Sequence, residues 1–260
     1  MSTRVTGVIR APGEAMLYRQ IPAADSLPVI IIDDDFLFGG SLEIALRSRG
    51  WDAHRISATD QEGILAQTRR FPAAVALLDL TLGVGPSATP FYGTALVPEL
   101  IRQGKRVLIV RDSADTAATA AAIAAGAIGE LPRSSSVLDT VVDAVARACL
   151  GLPVMTEVEQ HRWLLRHREF EHERGQLVQR LERLSSLELR IFQLMGRGHR
   201  ASAVAKELTE SIPIVRTHIN SALRKLEVDS QLEAVSLLHS ARLCGVLEFL
   251  TAIPPTSERA

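Results

Sequence analysis

Apolar residues arrive in short unbroken runs through the first half of the chain: Val29-Ile30-Ile31-Ile32, Ala74-Val75-Ala76-Leu77-Leu78 and Val107-Leu108-Ile109-Val110. Runs of this length without polar alternation are how strands buried on both faces read. Between and after them the apolar spacing becomes that of helices. One helix carries Leu42, Ala45 and Leu46 and stops at Gly50, and another starts near Thr59, where Thr59 and Glu62 stand at capping-box spacing. An alanine-rich helix follows from Thr116 to Ala125, ending at Gly126, and a last one runs from Ser136 to Leu150 with Val137, Val141 and Ala144 on one side. Strand and helix in this rhythm predict a parallel sheet with right-handed crossovers over residues 28–150. Residues 1–27 have no sustained period, are broken by Pro12, Gly13 and Pro22, and read as an extension.

The pattern changes in kind at residues 151–183. Glutamates and arginines alternate there, and Trp163, Phe170, Leu177 and Leu184 recur every seven residues, with Leu181 at the complementary position. This predicts a long linker helix with one apolar seam. The helix either pairs in a coiled coil or packs on its own neighbouring domain. Residues 184–250 read as four short helices, and 251–260 as a flexible tail. Ser185 and Glu188 form a capping box, Ser211 caps a helix that tolerates Pro213 in its first turn, and Ser230 with Glu233 opens the last. In the third of these helices Val215, Ile219, Ala222, Leu223 and Leu226 make an inward stripe, with Arg216, Thr217, Asn220 and Ser221 opposite.

Composition narrows the function classes. Hydrophobic residues make up 47% of the 260, ample for a core, so wholesale disorder is excluded. The net charge of -1 means that any nucleic-acid surface must be local. Cys149 and Cys244 stand far apart without metal-ligand spacing, as in a reducing compartment. No apolar run approaches the roughly 20 residues needed to span a bilayer, and residues 1–27 lack signal-peptide design, so a cytoplasmic location is expected and no membrane partner.

Residues 184–245 resemble the LuxR-type helix-turn-helix domain of NarL/FixJ-like regulators. The resemblance rests on Leu184, Glu188, Leu194, Gly198, Val204-Ala205, Leu208, Ser211, Val215 to Ile219, Leu223 to Leu226, Val228 and Glu233-Ala234, in ungapped spacing. Ile214 departs from the usual threonine, Ile212 from the usual acid, and Pro213 is unusual. The resemblance implies that Arg216, Thr217, Asn220 and Ser221 face bases while His218, Arg224 and Lys225 approach phosphates of double-stranded DNA. Arginine suits guanine edges and asparagine adenine. From Leu184 to Leu250 basic side chains outnumber acidic ones by only one, which predicts a homodimer on two half-sites.

Residues 28–150 resemble a response-regulator receiver, which implies a flavodoxin-like five-stranded parallel sheet. By the resemblance, Asp33 and Asp34 would hold magnesium and Asp79 would be the phosphate acceptor. Clustering is what such chemistry needs, because a carboxylate takes a phosphoryl group only when a divalent cation neutralises both. The switch positions, however, are substituted: Arg111 stands where the family has threonine or serine, and Arg133 where it has lysine. Arginine is planar and longer, and does not replace lysine at a shaped site. Two readings follow. In one, Asp79 is phosphorylated by a sensor kinase, as in a conventional two-component regulator. In the other, the domain is a pseudo-receiver in which Arg133 or Arg111 lies against the acids and supplies the charge permanently, control then passing to a ligand, a partner or dimerisation.

A non-enzymatic transcription regulator is therefore expected. Two other classes remain in view. Asp33-Asp34-Asp35 has the acid-x-acid form of magnesium-dependent aspartate-nucleophile phosphatases. Alternatively, Ile212 to Ile214 spoil the entry of the third helix and leave a protein-interaction module.

Overall fold

The computed structural model describes residues 27–56, 60–84, 90–111, 116–133 and 138–243. These fall into two compact units that divide between Arg168 and Glu169.

In the first unit the three apolar runs form the centre of a sheet. Strands β1 (Val29–Ile32), β2 (Ala53–Ile56), β3 (Ala74–Asp79), β6 (Lys105–Arg111) and β7 (Gly129–Pro132) lie in the order β2-β1-β3-β6-β7, every pair parallel. Alternate residues serve opposite faces because side chains alternate along a strand. Ile30, Ile32, Ala76, Leu78, Val107 and Ile109 point to one core, and Val29, Ile31, Val75, Leu77, Leu108 and Val110 to the other. The second face is covered by α1 (Phe36–Ser48) and α5 (Leu138–Leu150) through Leu42, Leu46, Val141, Ala144 and Val145. The first is covered by α2 (Gln61–Thr68), α3 (Val97–Arg102) and α4 (Thr116–Ala124). This is the doubly wound parallel sheet expected.

Three details differ from the sequence reading. The cap of α2 is Asp60, whose carboxylate accepts the Gly63 amide at 2.7 Å, while the anticipated cap, Thr59, lies outside the described residues. The strands β2 and β7 carry His54, Arg55 and Glu130 among few apolar residues, so no run announced them. The long segment after Asp79 holds an antiparallel ribbon of β4 (Thr81–Val84) and β5 (Pro90–Tyr92). Gly93 closes it against the end of β3: a Cβ there would fall 2.3 Å from the Asp79 carbonyl oxygen, so only glycine fits.

The charged stretch is one helix, α6 (Glu157–Glu182), and the division between units falls inside it. Its seam is used at both ends. Trp163 packs against the core of the first unit, and Leu177, Val178 and Leu181 against that of the second. Packing on a neighbouring domain thus accounts for most of the heptad spacing.

The second unit adds α7 (Ser186–Gly196), α8 (Ala201–Glu207), α9 (Ile212–Leu226) and α10 (Gln231–Leu243). Ser185 and Glu188 make the full capping box, and Ser211 accepts the Ile214 amide at 3.4 Å. Phe192, Leu194, Val204, Val215, Ile219, Ala222, Leu226 and Leu238 form its core. No described helix is long and apolar enough to cross a membrane.

Candidate nucleic-acid interface and acidic pocket

Parallel strands bring their carboxyl ends to one edge of the sheet, where a doubly wound fold places its ligands. Asp33 follows β1 and Asp79 ends β3, adjacent strands in register, so a separation of 46 positions vanishes and the two carboxylates meet. One carboxylate oxygen from each of Asp33, Asp34 and Asp79 lies within 4.8 Å of the others. Asp33 and Asp79 are buried and Asp34 is exposed. Asp35, next in line, caps α1 by accepting the Leu37 and Phe38 amides at 2.9 and 3.1 Å.

Of the two substituted switch positions, Arg133 reaches this cluster. Its Nη1 donates to Asp79 Oδ2 at 2.9 Å, and its Nη2 donates to Asp33 Oδ1 at 3.1 Å and Asp35 Oδ2 at 3.2 Å. The guanidinium carbon stacks 4.2 Å from the centre of the Phe38 ring. Planarity permits all of this at once: the edge of the group forks to three carboxylates while its face lies on an aromatic. Arg111 pairs with Glu130 and lies 5.4 Å over the Trp163 ring, so of the two arginines it is Arg133 that meets the acids.

Burial raises the Asp33 carboxyl to about 6, opposed by the Arg133 charge and reinforced by neighbouring Asp79. Asp79 is likewise raised, first by burial, against the Thr81 amide at 3.0 Å and Arg133. Asp35 is held low by its capping amides, the Phe38 amide foremost. Oxygen donors of this kind are what magnesium takes. Here, though, a guanidinium already holds oxygens of Asp33 and Asp79, and an ion at the same place would bring a second cation against it. With Arg133 seated, the residues do not fit magnesium.

Residues the sequence did not single out complete the pocket. Arg55 donates to the Asp33 carbonyl at 3.3 Å and lies 4.9 Å over Phe36. Phe38 lies under the Arg133 guanidinium, beside Asp35 of the acidic run. Aromatic residues next to an acidic turn were the available signal, and it is a weak one.

In the second unit, α9 separates its faces. Val215, Ile219, Ala222 and Leu226 are buried, while Arg216, Thr217, Asn220 and Arg224 are exposed on the far side. Pro213 removes no helical bond, since a first-turn amide has no partner. Thr217 back-bonds to the Pro213 carbonyl at 3.0 Å, fixing its rotamer. His218 is half-buried. Two residues expected at the DNA have partners inside the unit. Lys225 Nζ donates to Glu188 Oε2 at 2.7 Å, and Ser221 also hydrogen-bonds Glu188. Burial of Glu188 would raise its pKa, but those bonds, with the Ser185 amide, prevail and bring it to about 2. Ser221 and Lys225 therefore anchor α9 to α7, and the outward polar face reduces to Arg216, Thr217, Asn220 and Arg224.

No family model matches the chain, and no curated protein matches it. Among solved structures, it is similar to the response regulator ChrA of a heme-sensing two-component system at 25% identity over 84% of this chain and 99% of that one, with a TM-score of 0.41. It is similar to the response regulator StyR at 23% identity over 83% and 99%, TM-score 0.38. RcsB from Salmonella enterica serovar Typhimurium, bound to promoter rprA, matches at 20% identity over 83% and 99%, TM-score 0.42. These three structural neighbours are response regulators.

Proposed function

We propose that this chain is a sequence-specific DNA-binding transcription regulator whose receiver-like unit is controlled without phosphoryl transfer to Asp79. The observation that carries the DNA-binding part is the division of α9. A stripe of four buried apolar residues fixes the helix, and Arg216, Thr217, Asn220 and Arg224 project into solvent. A helix of this make presents hydrogen-bonding side chains to base edges when it lies in the major groove. Arg216 is assigned to guanine, Asn220 to adenine, and His218 and Arg224 to phosphates. Near-neutral charge in this unit means few phosphates are neutralised per subunit, which favours a homodimer on two half-sites.

Arg133 bonds both buried acids, so the pocket carries its neutralising charge within the chain. A phosphoryl group arriving at Asp79 would have to displace an arginine already in place. The signal then comes from a ligand, a partner or the monomer–dimer balance.

Two experiments test this. Selection of random duplexes with the purified chain, followed by salt titration, should give an enriched sequence and a log–log slope of several phosphates. No preference for any duplex at modest ionic strength would refute the DNA-binding part. Incubation with acetyl phosphate and magnesium should leave the mass unchanged. A gain of one phosphoryl group that disappears in Asp79→Asn would restore the conventional two-component reading, which the acidic cluster alone would favour.

A further inference from the structure

The exposed face of α9 begins with three apolar residues that the polar contacts above leave without a task. Ile212, Pro213 and Ile214 form its first turn, and the two isoleucines keep 41% and 44% of their surface exposed. They are among the few large aliphatic side chains left in solvent by the described second unit. Nothing in the helix start requires them. The Ser211 hydroxyl already accepts the Ile214 amide, and the core stripe begins only at Val215. Leaving isoleucine in water forgoes the gain of burial, and β-branched residues are indifferent helix formers.

What covers them follows from their place on the helix and rests on the DNA-binding reading. Ile212 stands one turn before Arg216 and Ile214 one turn before Thr217, on either side of Pro213, and the first turn of a groove-lying helix meets base edges first. An aliphatic tip offers no donor and no acceptor, so it cannot read the hydrogen-bond pattern of a base. One major-groove feature suits it: the C5-methyl group of thymine. We infer that Ile212 and Ile214 each select a thymine in the operator by packing on its methyl group, on either side of the bases read by Arg216 and Asn220. Polar residues at those two positions would instead ask for a hydrogen-bonding edge.

The test uses the full chain and duplexes enriched by selection. Replacing single thymines by uracil removes the methyl and leaves every hydrogen bond intact. Fluorescence anisotropy should show one or two positions per half-site where uracil weakens binding about fourfold each, the worth of one buried methyl group. In Ile212→Ser/Ile214→Ser that thymine-to-uracil ratio should fall to about one, with the helical circular dichroism of the chain unchanged. In Arg216→Ala the ratio should persist although binding weakens and guanine preference relaxes. An enriched duplex indifferent to uracil at every thymine would overturn this inference and leave the DNA-binding reading standing. So would a double serine variant that keeps the wild-type ratio, or one that loses only self-association. Failure to enrich any duplex would overturn both.

Discussion

Replacing Arg133 by methionine keeps an unbranched apolar side chain and removes the guanidinium, with its charge and its stack on Phe38. Three hydrogen bonds disappear, those to Asp79, Asp33 and Asp35 at 2.9, 3.1 and 3.2 Å. Asp33 and Asp79 keep only 3% and 4% of their side-chain surface, so neither is rescued by water. Taking one partner from a buried pair costs about 3–5 kcal/mol. Arg133 is itself 18% exposed and Asp35 is half-exposed, so about 2–3 kcal/mol is the appropriate figure here. For a unit of this size that lowers the melting temperature by roughly 5–10 °C. Both tryptophans, Trp51 and Trp163, belong to the first unit, so their fluorescence follows its unfolding alone. The loss should be reversible by a substitute cation. With Arg133 gone, Asp33, Asp34 and Asp79 present three clustered carboxylates, and magnesium at a hundred times its dissociation constant would return about 2.7 kcal/mol. The wild type should melt at the same temperature with and without magnesium. If magnesium stabilised the wild type as strongly as the variant, or if the variant melted like the wild type, the argument that an internal cation fills this pocket would be refuted.

Other outcomes follow from the same geometry. Asp33 is raised from 3.8 to about 6, so the folded state binds its proton more tightly than the unfolded chain does; the stability this confers is present below pH 4 and is lost as pH rises through about 6, by about 3 kcal/mol in all. Tryptophan-monitored melting should therefore decline between pH 4.5 and 7, and Asp33→Asn should flatten that decline. Glu188 shows the opposite sign: lowered from 4.5 to about 2, it stabilises the second unit above pH 4.5 and stops doing so as pH falls toward 2. Far-ultraviolet dichroism of Glu188→Gln should show a correspondingly weaker acid transition. Lys225→Met should lower the stability of the second unit by about 2–3 kcal/mol, since it strands the buried Glu188, yet leave the salt slope of DNA binding unchanged. Arg224→Ala, by contrast, should reduce that slope by about one without altering melting. An unchanged slope in Arg224→Ala paired with a reduced one in Lys225→Met would reverse the assignment of those two cations.

Much of the architecture was legible in the chain because its signals are local. The buried strands β1, β3 and β6 appear as unbroken apolar runs, since a strand covered on both faces has no polar side to show. The caps at Ser185 and Ser211 and the stripe Val215, Ile219, Ala222 and Leu226 are likewise set by backbone geometry over a few residues. The edge strand with His54 and Arg55 gave no such signal, being only partly buried. The heptads of α6 marked an apolar seam correctly and left open what it meets, because one spacing serves a partner helix and a neighbouring core alike.

Which charges meet was a matter for the tertiary structure. Arg133 lies 54 residues from Asp79 and 100 from Asp33, and Lys225 lies 37 from Glu188. The sequence could place Arg111 and Arg133 at strand ends and could put Lys225 on a polar helix face, but it could not say which arginine faces the acids or which lysine turns inward. Periodicity follows from bond geometry repeated along the chain and is therefore written in it. The energy of a charge depends on distance and on exclusion of water, and both arise only when sheet order and helix packing bring remote side chains together.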